Sequence, residues 1–231
     1  MRLVLLHGFT GSAQSFAHLG LDAIAPDLPG HAGAPDATSW EAALDALAKL
    51  LEPGPVVLAG YSLGARLALG LALRHPERVH KLVLESGTAG LDEPRAQAAR
   101  RKSDEALAQL LEREGLEAFL DRWEAHPTLA SLLPFAAQLR PERLRHRPEG
   151  LASALRALGP GAQPSYWPQL PGLRVPTLLL AGADDLKFAG LARRLHALLP
   201  RSALRLFGDC GHAPHLEHPA AFAAALNGDG R

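Results

Sequence analysis

The chain has 231 residues, 47% of them apolar, which suffices for one well-buried core and a single domain spanning residues 1–231. Lysine plus arginine equals aspartate plus glutamate at 24 each, so no global field favours nucleic acid or an anionic membrane, and an acidic ligand must be met by local charge. The single cysteine, Cys210, excludes an intrachain disulfide and leaves no Cys/His spacing suited to zinc; neither a metal nor a cofactor is expected.

The opening Met1-Arg2-Leu3-Val4-Leu5-Leu6-His7-Gly8 is too short an apolar run for a signal peptide, and no uninterrupted apolar stretch is long enough to span a bilayer. These features point to a soluble, cytoplasmic protein, a monomer or small homo-oligomer. Short β-rich runs then alternate with stretches of helical period, the pattern of parallel strands joined by crossover helices. Strands are expected at Arg2–Leu6, Asp22–Pro26, Val56–Tyr61, Val79–Glu85, Val175–Ala181 and Ala203–Phe207, and helices at Trp40–Leu51, Leu63–Arg74, Leu191–Leu199 and Pro219–Leu226. Because the chain begins almost at the first motif strand, a small sheet is expected. Between Glu85 and Val175 lie about ninety residues, far more than a crossover needs. Within them Ala106–Leu111, Leu116–Trp123, Leu129–Leu139 and Leu151–Leu158 read as helices broken by Pro127, Pro141 and Pro148, so a helical cap inserted over about 90–165 is expected to cover the C-terminal edge of the sheet.

Chemistry enters at Val56-Val57-Leu58-Ala59-Gly60-Tyr61-Ser62-Leu63-Gly64, where a buried strand runs through one sharp turn into an amphipathic helix. A serine on such a turn is held in strained backbone geometry at a helix N-terminus, where partial positive charge favours a developing anion. The bare G-x-S-x-G pattern is weak in a glycine-rich chain, and the strand-to-helix context strengthens it. His7-Gly8-Phe9 follows the first strand, and a loop there faces Ser62 when that strand neighbours the one ending at Tyr61; the N–H groups of Phe9 and Leu63 would then converge on one oxyanion. His7 itself reads as a structural group that fixes this loop.

Two late strands supply partners in the order this turn requires, acid and then histidine. The loop after Leu178-Leu179-Leu180-Ala181-Gly182 carries Asp184 and Asp185, between which spacing alone does not choose. The loop after the last strand carries His212, preceded by a glycine, whereas His215 and His218 read as satisfied surface or supporting groups. Cys210 reads as packing and Asp27 as a turn-stabilising residue. The fold class is therefore α/β, an α/β-hydrolase fold with a mostly parallel sheet flanked by helices.

The chain also resembles a family over nearly its whole length, the 2-succinyl-6-hydroxy-2,4-cyclohexadiene-1-carboxylate synthases of menaquinone biosynthesis. The resemblance is carried by His7-Gly8-Phe9-Thr10-Gly11-Ser12, Asp27-Leu28-Pro29-Gly30-His31, Gly60-Tyr61-Ser62-Leu63-Gly64-Ala65-Arg66 and Arg100-Arg101-Lys102-Ser103-Asp104. Further matches are Trp123 with His126-Pro127, Arg143 ahead of Pro148-Glu149-Gly150-Leu151-Ala152, Gly161-Ala162-Gln163-Pro164-Ser165 and Asp185-Leu186-Lys187-Phe188. The resemblance implies a lyase that expels pyruvate from an enolpyruvyl cyclohexene carboxylate without an acyl-enzyme. It implies Asp185 as the acid, Ser62 as a base polarised by His212, and Tyr61, Arg66, Arg100, Trp123 and Arg143 around a small-molecule carboxylate substrate. Ala65 departs from a commoner glycine, and Glu124 stands where some members place an aromatic. Arg101, Lys102, Arg145 and Arg147 read as surface charge. The alternative reading of the same residues is a carboxylesterase or other small-molecule serine hydrolase acting through an acyl-enzyme.

Overall fold

The computed structural model describes residues 1–227. Five parallel strands, β1 (Leu3–Leu6), β2 (Val56–Tyr61), β3 (Val79–Glu85), β4 (Thr177–Gly182) and β5 (Ser202–Phe207), form one sheet in the order β1-β2-β3-β4-β5. Their near-continuous apolar runs suit a sheet covered on both faces. Along each strand the side chains alternate between two cores. Val4, Leu6, Leu58, Leu82 and Leu84 pack with Trp40, Leu44 and Leu47 of α1 (Trp40–Ala48) and with Leu67 and Leu71 of α2 (Leu63–Arg74). Leu5, Ala59, Val83 and Leu180 point the other way, onto Phe16 and Phe222. The bounds of β2, β3 and α2 coincide with those expected from the sequence.

The stretch Asp22–Pro26 is not a strand. Ile24 alone bridges Val4, exchanging bonds with Leu3 and Leu5 at 2.9 Å each, before Pro26, which has no N–H to extend the ladder.

Between β3 and β4 stand α3 (Pro94–Glu124), a 3₁₀ helix (Pro127–Phe135), α4 (Ala136–Arg143) and α5 (Pro148–Leu158). The two first cap helices expected from the sequence are one segment, interrupted where Gly115 takes φ 83°. The helix expected over Leu129–Leu139 is divided between the 3₁₀ helix and α4. Pro141 does not break α4: in so short a helix the missing N–H removes only one bond, and the chain turns later, ahead of Pro148 at the start of α5. Phe119 and Leu120 bury themselves against Leu151 and Leu155, giving the cap a core of its own. The chain continues through α6 (Leu186–Leu198), α7 (Pro214–Glu217) and α8 (Pro219–Asn227). The sequence reading started α6 later and did not include α7. Among the described residues no helix is long and apolar enough to cross a membrane.

Three buried histidines tie the cap to the sheet. His146, between α4 and α5, donates from Nε2 to Thr10 O at 3.0 Å and accepts the Ala32 N–H at Nδ1 at 2.8 Å. His31 packs edge-on between His146 and His7, with centroids 5.6 and 5.0 Å away. His7 accepts the Leu28 N–H at 3.0 Å and donates to Gly8 O, fixing the loop after β1 as its structural reading required. Burial lowers the pKa of His7 to about 4 and that of His31 well below the ordinary histidine range.

Both rings are therefore neutral in the fold, while the unfolded chain takes up protons as pH drops below 6.5. Stability present above that value is lost as pH falls toward 4. His7 alone accounts for roughly 3 kcal/mol of that loss. Urea titrations at pH 7.5 and 4.5 should show the loss, and a His7→Asn variant should show a correspondingly smaller drop; equal drops would mean that His7 is not held neutral.

Candidate active site

At the end of β2 the backbone turns through Ser62 at φ 51°, ψ −103°, a left-handed conformation that costs a non-glycine residue about 1–3 kcal/mol. The surroundings impose it. Ser62 N–H donates to Glu85 O at 2.9 Å, and Ser62 O accepts Arg66 N–H at 3.2 Å, so the residue is tied both to β3 and into α2. A Cβ on Gly64 would collide with the Leu6 and His7 carbonyls, and one on Gly60 would collide with the backbone of Gly64. These glycines let α2 press against β1, which aims the serine hydroxyl off the edge of the sheet.

Asp185 holds two positions with one carboxylate. As the N-cap of α6, its Oδ1 accepts the Phe188 N–H at 3.1 Å; its Oδ2 accepts the His212 Nδ1–H at 2.7 Å. Asp184 is exposed, and its N–H is spent on Cys210 O at 3.0 Å. The opposite ring nitrogen of His212, Nε2, faces Ser62 Oγ at 3.3 Å. The structure thus brings Ser62, His212 and Asp185 into one line, with His212 3% exposed.

The backbone around His212 is held from several sides. The Glu217 carboxylate accepts the N–H groups of Gly211 (2.7 Å) and Ala213 (2.9 Å), Ser131 Oγ accepts that of His212 (3.3 Å), and Ser86 Oγ donates to His212 O (2.8 Å). The Phe188 ring lies 4.5 Å from the imidazole, centroid to centroid. Sequence reasoning missed Glu217, Ser86 and Ser131, which follow no spacing rule; Phe188 was visible only within the Asp185-Leu186-Lys187-Phe188 match.

The loop after β1 lies beside the turn because β1 pairs with β2, Leu6 against Gly60. Gly8 packs on the Tyr61 ring and the Ser62 Cβ. Phe9 and Leu63 both line the cavity, and Leu63, first residue of α2, has an N–H with no intrahelical acceptor.

That cavity, about 1010 Å³, opens between the sheet edge and the cap. Ser62, Tyr61 and His212 line it from below, and Arg100, Trp123, Arg143 and Leu155 from the cap. Arg66 is 7% exposed, one turn beyond Ser62; burial, with help from Arg100, brings its pKa down to about 9. It donates to Gln163 Oε1 at 3.3 Å, and Gln163 in turn donates to Thr88 O. Arg100 holds Asp104 at 2.7 Å, a carboxyl that burial pushes up and Arg100 pulls back. Arg143 pairs with Glu124 at 2.9 Å. Trp123 meets Phe9 edge-on at 5.1 Å. Gln163 and Asp104 lie inside the segments that carry the resemblance, and no local spacing marks either as part of the site.

His215 is buried: its Nδ1 bonds Glu85 Oε1 at 2.8 Å, and its ring stands 4.6 Å from Tyr61, so it supports the floor of the site. His218 reaches Asp209 O at 3.2 Å. Cys210 is fully buried, its thiol pushed up to about 12 by burial, as suits packing. Asp27 Oδ1 accepts the Ala13 N–H at 2.7 Å, a loop-fixing role. Arg147 pairs with Asp36 on the surface.

The profile of the alpha/beta hydrolase family matches residues 3–225. A Bacillus subtilis (strain 168) protein, provisionally named 2-succinyl-6-hydroxy-2,4-cyclohexadiene-1-carboxylate synthase, is 38% identical over 97% of this chain and 88% of its own. The Klebsiella pneumoniae protein of that name is 34% identical over 97% and 91%. Among solved structures, MenH from S. aureus superposes with a TM-score of 0.92 at 33% identity, covering 99% of this chain and 92% of the other. A thermophilic esterase from Thermogutta terrifontis, solved with malate bound, reaches 0.83 at 27% identity, covering 99% and 88%.

The turn's dependence on glycine is directly testable. Gly64→Ala forces a methyl into the β1 carbonyls and should destabilise the fold by about 3 kcal/mol, read as a lower urea midpoint. An unchanged midpoint would show that the α2–β1 approach is looser than described.

Proposed function

The chain belongs to the alpha/beta hydrolase family and, within it, to the 2-succinyl-6-hydroxy-2,4-cyclohexadiene-1-carboxylate synthases, and from that premise we propose that it eliminates pyruvate from 2-succinyl-5-enolpyruvyl-6-hydroxy-3-cyclohexene-1-carboxylate. The observation that carries the proposal is the coexistence, in one cavity, of the Ser62–His212–Asp185 line with Arg66, Arg100 and Arg143. A hydrolase of neutral esters has no use for three arginines there. A tricarboxylate needs such forks, since a planar guanidinium meets a carboxylate bidentately and the chain has no net charge to draw an anion in.

In this reading Ser62 Oγ, its own proton drawn toward His212 Nε2, takes the ring proton next to the succinyl carbonyl. The electron pair left on carbon delocalises onto that carbonyl oxygen, where the N–H groups of Phe9 and Leu63 hold the charge. Collapse of this enolate through the ring double bond breaks the bond to the enolpyruvyl oxygen. Enolpyruvate leaves, regains the proton through His212 and becomes pyruvate. Asp185 fixes the Nδ1–H tautomer, so that Nε2 is free to receive the proton. Tyr61 and Trp123 wall the ring site. The enzyme acts in the cytoplasm on a small-molecule carboxylate, without nucleic acid or membrane.

The likeness to the T. terrifontis esterase favours ester hydrolysis through an acyl-Ser62 as the second reading. Pyruvate release, followed with lactate dehydrogenase, separates the two. We expect Ser62→Ala to lower kcat about 10³-fold and Arg66→Ala or Arg100→Ala to lower kcat/KM roughly 10- to 100-fold. Rapid nitrophenyl ester turnover without pyruvate formation would select the hydrolase.

A further inference from the structure

Among the arginines that line the cavity, Arg66, Arg100 and Arg143 are not electrostatically equivalent. Arg66 and Arg100 share one internal carboxylate, Asp104, so this trio keeps a surplus positive charge. At the other end Arg143, 8% exposed, gives Nη1 to Glu124 Oε1 at 2.9 Å. The second oxygen of Glu124 holds Arg140 at 2.8 Å, and Arg140 is bound on its far side by Asp121 at 2.6 Å. In this network two guanidinium groups face two carboxylates, and its charges balance before any ligand arrives. The Glu124 and Arg143 side chains are only 12% and 10% exposed, so solvent screens their charges little.

Resting on the lyase reading, we propose that Glu124 is a specificity-determining residue: as the resident counter-ion of Arg143, it weakens the hold of this corner on a ligand carboxylate and leaves anion recognition mainly to the Arg66–Arg100 end. A carboxylate docking on Arg143 must share the guanidinium with Glu124 and accept the repulsion of a like charge a few ångströms away. Arg140 tunes this effect. By occupying one Glu124 oxygen it draws negative charge away from Arg143; without Arg140, both oxygens are free for Arg143.

The two neighbours therefore have opposite effects. Glu124→Gln should lower KM for the enolpyruvyl substrate, and the calorimetric Kd for tricarballylate, by about fivefold or more with kcat little changed. Arg140→Gln should raise both by a similar factor. The gap between the variants should narrow as salt is raised. Were Glu124 merely a strut for Arg143, both substitutions would loosen Arg143 and both would weaken binding; that result, or no change in either variant, overturns the proposal. Thermal melts of both variants confirm that folded protein is compared. Pyruvate release by the wild type tests the lyase reading separately: its absence, with tricarballylate still bound and both Kd values shifting in opposite senses, would retain Glu124's role for another anionic ligand.

Discussion

Everything in this molecule that bears on chemistry depends on how closely α2 approaches β1. The approach is possible only because Gly64 has no Cβ to strike the Leu6 carbonyl and Gly60 none to strike Gly64. From that contact follow the left-handed Ser62, the exposure of its hydroxyl beyond the sheet, and the placement of the His7-Gly8-Phe9 loop against the helix N-terminus. Parallel pairing then sends the ends of β4 and β5 to the same edge, so that Asp185 and His212 arrive beside Ser62 although 27 residues separate one from the other and 150 separate His212 from the serine.

The strain at Ser62 costs about 1–3 kcal/mol, which a single buried leucine can offset at roughly 2 kcal/mol. Leu63, Leu67, Leu69 and Leu71 on α2 are each 2% exposed or less. The helix that carries the strained residue is thus among the most deeply buried elements of the protein, and relaxing the serine would require moving that helix. The His212 loop is secured differently. Besides the packing of Cys210 and Ala213, hydrogen bonds with Glu217, Ser86 and Ser131 fix its backbone, with Ser131 belonging to the cap.

What could be read from the sequence divides along the same line. β2, β3 and α2 were legible to the residue because short β-rich runs of strand length are bounded by turn residues, and at Ser62 the first of them gives way abruptly to a helical period. Asp22–Pro26 misled because Ala23-Ile24-Ala25 is a short apolar run bounded by Asp22 and Pro26, while strand formation needs a partner over several residues and only Ile24 has one. Pro141 misled in the opposite sense, since a proline near the end of a short helix forfeits a single bond. Asp184 and Asp185 were inseparable by spacing; the distinction is geometric, because only the residue that caps α6 turns its second oxygen back toward the sheet edge. Glu217, Ser131 and the Glu124–Arg143 pair were out of reach, because each depends on where side chains of distant segments end up rather than on local period.

The cap shows why charge arithmetic on the whole chain says so little about a site. Equal totals of acid and base forbid long-range steering but permit local imbalance. The cap exploits this. Arg156 is matched by Glu105 and Glu112 on the surface, where screened pairs of this kind are worth about 0–1 kcal/mol. Around the cavity, Arg66 and Asp104 are buried and the half-buried Arg100 pairs with Asp104; the trio carries one uncompensated charge, and burial already drags Arg66 down to about 9. An arginine in that condition gains more from a ligand carboxylate than one on the surface does, because the ligand supplies the partner that water no longer provides. In the proposed reading, anion recognition comes from incomplete pairing under a cover, and the Glu124–Arg143 pair grades the affinity across the cavity.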